Sequence, residues 1–290
     1  MTKACLGPDP NPRPPKFSVP AMACDCHAHV LGPPEKYPYV AERSYTPPTA
    51  LLEDYQALHR TLGIERAVIV QPSVHGTDNQ VTLDGIAGYG TNARGIAVVD
   101  TSVTDGELAR LNDGGMRGIR LNVLFGGGVG FQAMESLAQR IADMGWHIQL
   151  LLDARNLAEL APRLRKLPVP LVVDHMGHMN VSHGIDHAGF QSLIELVRDG
   201  VCWVKLSGNY RISEQGPPYR DVIPFARALI EAAPQHMVWG TDWPHPALYE
   251  FMPNDGDLLD ALNDYAPETD LKQAILVDNP ARLYGFVNQD

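Results

Sequence analysis

Cys24-Asp25-Cys26-His27-Ala28-His29-Val30 is the stretch on which the reading of this chain turns. Strand side chains alternate faces, so on a strand His27 and His29 project to the same side. Two imidazoles then aim at one point, where a metal ion or a substrate oxygen can sit. Two later stretches follow the same plan, an apolar run that stops at polar groups: Val173-Asp174-His175-Met176-Gly177 and Trp239-Gly240-Thr241-Asp242-Trp243-Pro244-His245-Pro246. Three histidines and one aspartate at the tips of three strands make a site that none of them makes alone.

Outward from these anchors, short apolar runs recur at 21–30, 67–71, 95–100, 118–123, 148–152, 171–173, 201–206 and 237–240. Most are continuous Val/Ile/Leu blocks, the mark of parallel strands covered on both faces. Helical stretches are expected between and after them at 49–62, 105–112, 131–144, 156–166, 190–198, 219–233, 257–264 and 270–284. The first has Thr49 as its cap and Gly63 as its stop. Eight strands alternating with helices predict an α/β fold, a (β/α)8 TIM barrel forming a single domain over residues 21–290. The first twenty residues carry six prolines and predict an extended arm over residues 1–20. A doubly wound open sheet is the alternative, but no GxGxxG follows the first strand. Gly126-Gly127-Gly128 lacks the Lys-Ser/Thr of a phosphate loop.

Composition narrows the function. A net charge of −11 argues against nucleic-acid and anionic-membrane partners. No apolar run approaches the ~20 residues of a membrane span, and no signal peptide is recognisable. Cys5, Cys24, Cys26 and Cys202 form no CxxC pattern and predict reduced thiols in a cytoplasmic protein.

Barrel chemistry sits at the C-terminal ends of the strands. Those ends carry His27 and His29, Ser73 and His75, Asp100, Arg120 and Asn122, Asp153, His175 and His178, Ser207 with Asn209 and Arg211, and Asp242 with His245. His27, His29, His175 and Asp242 suit one divalent ion, zinc above others, since catalytic zinc takes about three protein ligands plus water. They also suit metal-free chemistry in which Asp242 deprotonates water and the histidines polarise a carbonyl. Both routes hydrolyse an ester-like bond. Arg120 and Arg211 are candidate anion holders; the competing reading for each is a structural salt bridge. Ser73, His75, His178 and His245 are candidate substrate contacts. A capping role is expected of Thr77, Asp78 or Asn79. His59, His147, His183, His187 and His236 read as structural, and Trp239 and Trp243 as packing.

These motifs, with Gln71-Pro72-Ser73-Val74-His75-Gly76-Thr77-Asp78-Asn79 and Gly118-Ile119-Arg120, resemble the 2-pyrone-4,6-dicarboxylate lactonase branch of the amidohydrolase superfamily. The resemblance runs from Met22 to Tyr284. It implies a (β/α)8 barrel and hydrolysis of a small anionic lactone from aromatic-compound breakdown. It further implies Asp242 as general base, with His27, His29 and His175 around the lactone carbonyl. The dicarboxylate lactonase is thought to need no metal, whereas relatives can hold zinc at the same residues. This chain departs from that pattern. Phe125-Gly126-Gly127-Gly128 replaces a Lys-Arg pair, Leu151 stands where a Tyr is found, and His178 replaces an Arg. A sulfonated or carboxylated muconolactone is therefore expected in preference to the pyrone dicarboxylate. A decarboxylase or lactone isomerase on the same barrel is the alternative, and a binding protein on a catalytically silent barrel a third reading.

Overall fold

The computed structural model describes residues 2–287. Eight strands follow in chain order: β1 (Cys24–Ala28), β2 (Arg66–Val70), β3 (Ala93–Ala97), β4 (Met116–Asn122), β5 (His147–Leu151), β6 (Leu171–Val173), β7 (Cys202–Leu206) and β8 (Met237–Trp239). Each pairs in parallel with the next, in sequence order. The sheet curls into a nearly closed barrel with helices between the strands. Each of the eight expected runs overlaps one of these strands.

The helices are α1 (Leu52–Leu62), α2 (Gln80–Tyr89), α3 (Asp105–Asp113), α4 (Met134–Ile141), α5 (Leu157–Leu164), α6 (Ala188–Arg198), α7 (Asn209–Ile212), α8 (Ile223–Ala232), α9 (Asp255–Tyr265), α10 (Thr269–Gln273) and α11 (Asn279–Tyr284). Gly63 ends α1 in the left-handed region, its N–H returning to His59 O. The expected Thr49 cap is corrected. Ala50 is held in a bridge with Leu31, and the helix starts at Leu52, three residues past the threonine, with Leu51 at the cap position. Helix α2 was not expected, because Gly85 and Gly88 weaken a helical reading. Their smallness is what lets α2 pack. A Cβ on Gly88 would lie 2.5 Å from Leu52 Cδ2, and one on Gly85 3.1 Å from Ile69 Cδ1.

Residues 2–20 contain no helix or strand beyond an isolated Ala4–Thr46 bridge. They run against the barrel, where Leu6 N donates to Leu248 O at 2.9 Å and Lys16 N to Asp260 at 2.7 Å. Among the described residues no helix is long and apolar enough to cross a membrane.

Two features of β1 set up the site. Asp25 pairs with Ala67 but Ala28 with Ile69, so three steps on β1 face two on β2. This bulge resets the alternation of side chains. Cys24 and Cys26 pack with Val68, Val70, Ile96, Val172 and Val238 inside the barrel, and His27 then turns toward the same interior. The second feature is closure. Between β8 and β1 the ring is joined by Asp242 N to His27 O and His29 N to Trp243 O, both 2.7 Å. The fully buried Asp25 carboxylate ties this seam. It accepts from His27 N (3.0 Å), Thr241 N (2.9 Å), Thr241 Oγ1 (2.5 Å) and Tyr55 Oη (3.0 Å).

Candidate active site

The three anchor stretches meet at one end of the barrel interior. His27 and His29 follow the β1 bulge, His175 follows β6, and Asp242 follows β8. The rings of His27 and His175 have centroids 4.7 Å apart, and those of His27 and His29 5.1 Å. Asp242 Oδ1 lies 3.7 Å from His27 Nε2 and 3.9 Å from His29 Nε2, and Oδ2 lies 3.8 Å from His175 Nε2. His175, His178, Asp242 and His245 all have positive φ. Each costs roughly 1–3 kcal/mol of backbone strain, a pattern that clusters at functional sites.

The cavity over these groups is lined by His29, Ser73, Arg120, His175, His178, Arg211 and Asp242, with Tyr45, Phe125, Leu151 and Pro246 as its apolar walls. Two residues expected as substrate contacts do not line it. His75 turns toward Tyr39 and places Nδ1 3.1 Å from Pro38 O. His245 is buried behind the site, between Tyr210 Oη and Asp255 Oδ1, at 3.1 Å from each. Position in the chain placed both at strand ends, but the loop fold aims them elsewhere.

The two arginines line the cavity and are also paired within the protein. Arg120 donates through Nε and Nη2 to Asp174 Oδ2 at 3.2 and 3.1 Å. Arg211 Nε donates to Asp242 Oδ2 at 2.6 Å, where Tyr210 Oη also donates at 2.6 Å. Asp242 Oδ2 is thus occupied, while Oδ1 faces the histidines. Of the expected caps, Asp78 accepts from Gln80 N at the start of α2. Asn79 instead bonds both polar groups of Val98.

A layer of polar groups beneath these residues escaped the sequence reading. Lys205 (β7) and Gln149 (β5) are fully buried beside Asp174. Gln149 bridges Lys205 Nζ (2.6 Å) and Asp174 Oδ2 (3.0 Å). A wider cleft near Arg13, Lys16, Asp257 and Asp260 holds charges already paired to one another.

Burial raises the Asp242 carboxyl, but the Arg211 guanidinium and then His175 outweigh it and hold the group well below the usual carboxylate range. It is an anion at any working pH. Burial pushes His29 and His175 well below their ordinary value, and His147 down to about 3. The sign of the stability effect follows. Below about pH 6.5 the unfolded chain takes up protons that these buried rings refuse, so stability falls as pH falls. Each such ring gives up about 1.4 kcal/mol by pH 5.5, whereas the contribution of Asp242 is still nearly whole there and is lost progressively as pH falls through about 4 toward its lowered folded value. Urea melts at about pH 7.5 and about pH 5.5 should therefore differ by several kcal/mol. Equal midpoints would contradict the neutral, buried histidines.

His27, His175 and Asp242 each offer a ligand atom, all within 4.8 Å of one another. In atom type and spacing they fit a divalent cation.

The profile of the amidohydrolase family matches residues 24–286. The chain belongs to the amidohydrolase family. Over 286 residues this amidohydrolase is 42% identical to a 2-pyrone-4,6-dicarboxylate hydrolase of Comamonas testosteroni, covering 94% of this chain and 93% of that one. It is 40% identical to a 4-sulfomuconolactone hydrolase of Hydrogenophaga intermedia, covering 99% and 96% of the two chains. A D-galactarolactone isomerase of Agrobacterium fabrum is 32% identical, over 98% of this chain and 96% of its own.

Proposed function

We propose that this amidohydrolase hydrolyses a small anionic lactone, with Asp242 as the general base toward water. The observation that carries the reading is the free oxygen of Asp242. Oδ2 is held by Arg211 and Tyr210, which leaves Oδ1 open toward His27 and His29 in a cavity that two guanidiniums line. Similarity to two lactone hydrolases over nearly the whole chain supports it.

Water attacks the lactone carbonyl and passes a proton to Asp242 Oδ1. Collapse of the tetrahedral adduct breaks the ring C–O bond, and the proton goes to the leaving oxygen. The imidazoles meet the charge that develops on the carbonyl oxygen. Arg211 tunes the base. An anionic group on the substrate that draws Arg211 from Asp242 raises the basicity of the carboxylate when substrate is in place. A divalent ion held by His27, His175 and Asp242, with zinc the fitting element, would polarise the same carbonyl when bound. In this reading residues 1–20 form an arm on one barrel domain, and the protein works in the cytoplasm.

Arg120 serves the same substrate. Arg120→Met should lower kcat/KM on an anionic lactone by roughly 10–100-fold, the worth of a charge-assisted bond of ~1.5–3 kcal/mol. An uncharged lactone should be far less affected. Equal losses on both would assign Arg120 to holding Asp174 alone.

Substrate choice follows from the walls. Leu151 and Phe125 present hydrocarbon to the cavity. A second carboxylate buried against them costs several kcal/mol. The sulfonated or carboxylated muconolactone is accordingly the preferred substrate, and 2-pyrone-4,6-dicarboxylate the poorer one. Steady-state kinetics on 4-sulfomuconolactone and on the pyrone decide this, and efficient turnover of the pyrone alone overturns it. Failure on both lactones, with isomerisation of a sugar lactone instead, would support the isomerase reading that the Agrobacterium relative favours.

A further inference from the structure

We propose that Lys205 is a positioning residue that fixes which nitrogen of His27 carries the hydrogen, making His27 a donor to the reacting oxygen when no metal is bound. Lys205 lies inside the barrel on β7 and is fully buried. Its Nζ is 2.6 Å from Gln149 Oε1 and 3.2 Å from His27 Nδ1. An ammonium offers three donors and no acceptor, so the His27 nitrogen that faces it must accept. A neutral imidazole has one of each, and the hydrogen of His27 therefore sits on Nε2.

Asp174 is the competitor. Its Oδ1 lies 3.3 Å from the same His27 nitrogen, and if it accepted from there the hydrogen would sit on Nδ1 instead. Asp174 Oδ1 nevertheless has no hydrogen-bond partner and lies 3.6 Å from Lys205 Nζ, while Oδ2 accepts from Arg120 and Gln149. Lys205 makes the hydrogen bond that Asp174 does not.

His27 Nε2 is fully buried, unpartnered, and 3.7 Å from Asp242 Oδ1. An N–H held there in advance of the reaction meets the requirement for stabilising an oxyanion. His29 has the opposite polarity. Its Nδ1 is 2.7 Å from Val70 O, which can only accept, so the hydrogen is on Nδ1 and Nε2 carries the lone pair. The two histidines of one HxH pair thus present one donor and one acceptor to the same space. A cation held by both would need two lone pairs.

Only the use of the N–H rests on the hydrolase reading; its position does not. The test is a long-range nitrogen–proton NMR correlation on the full chain with heavy-nitrogen-labelled histidines, His27 being assigned from the spectrum of His27→Gln. The wild-type protein should show hydrogen on Nε2 and a lone pair on Nδ1 of His27. The reverse pattern overturns the proposal without any variant. Lys205→Met should transfer the hydrogen to Nδ1, toward Asp174, and Lys205→Arg should keep the wild-type pattern. An unchanged His27 in folded Lys205→Met removes Lys205 from this role. With the Nε2 lone pair released, Lys205→Met should also bind zinc about 10–100-fold more tightly in chelator competition, and unchanged affinity counts against the proposal. None of these readouts uses a lactone, so their failure is separable from failure of the proposed function.

Discussion

Asp242→Asn is expected to lower kcat/KM on an anionic lactone by about 10²–10⁴-fold, the usual contribution of a positioned general base. The amide keeps the shape of the side chain and one oxygen for Tyr210 and Arg211, so the barrel should stay folded. It cannot take a proton from water. The free oxygen of Asp242 faces His27 and His29 at 3.7 and 3.9 Å, and among the described residues that line the cavity Asp242 is the one carboxylate. Circular dichroism checks the fold and steady-state kinetics the loss. A folded variant retaining more than about a tenth of wild-type activity would remove Asp242 from the base role.

Asp25→Ala should give the largest loss of stability. The carboxylate is fully buried and accepts from His27 N, Thr241 N, Thr241 Oγ1 and Tyr55 Oη, with His59 Nε2 at 3.4 Å besides. Alanine leaves all four donors without an acceptor, at ~1–3 kcal/mol each if none relaxes. Partial relaxation brings the expected loss to about 3–5 kcal/mol, a large share of the ~5–15 kcal/mol that holds an ordinary domain together. In a chain of this size that shifts Tm by roughly 10 °C. The same residue holds the bulge that aims His27, so activity should fall at temperatures where the variant is still folded. Asp25→Asn keeps one acceptor and should lie between. A wild-type Tm for Asp25→Ala would show that the β1–β8 seam closes without the clamp.

The barrel was legible in the sequence because parallel strands covered on both faces are continuous apolar blocks, and such blocks need no partner to be seen. What escaped depends on partners. Gly85 and Gly88 read as poor helix formers until Ile69 of β2 and Leu52 of α1 are in place beside them. Lys205 and Gln149 were visible as lone polar residues in the apolar runs 201–206 and 148–152. Their meaning comes from Asp174 and His27, on strands that only the closed barrel brings together. The His27–His29 spacing gave the right common direction, although the strand reaches it through a bulge that strict alternation does not contain. His75 and His245 show the limit of reading strand ends, because the direction of a loop side chain is set by what the loop folds against. Arg120 and Arg211 were legible as anion holders or salt-bridge formers; which carboxylates they pair with, Asp174 and Asp242, was not, since a guanidinium seeks the nearest carboxylate in space.

The most direct test of the account is turnover of 4-sulfomuconolactone in heavy-oxygen water, with the product analysed by mass spectrometry. Hydrolysis through water activated at Asp242 predicts ring opening with one solvent oxygen in the new carboxylate, and loss of that incorporation in Asp242→Asn. Conversion without label uptake, by isomerisation or release of carbon dioxide, would contradict it.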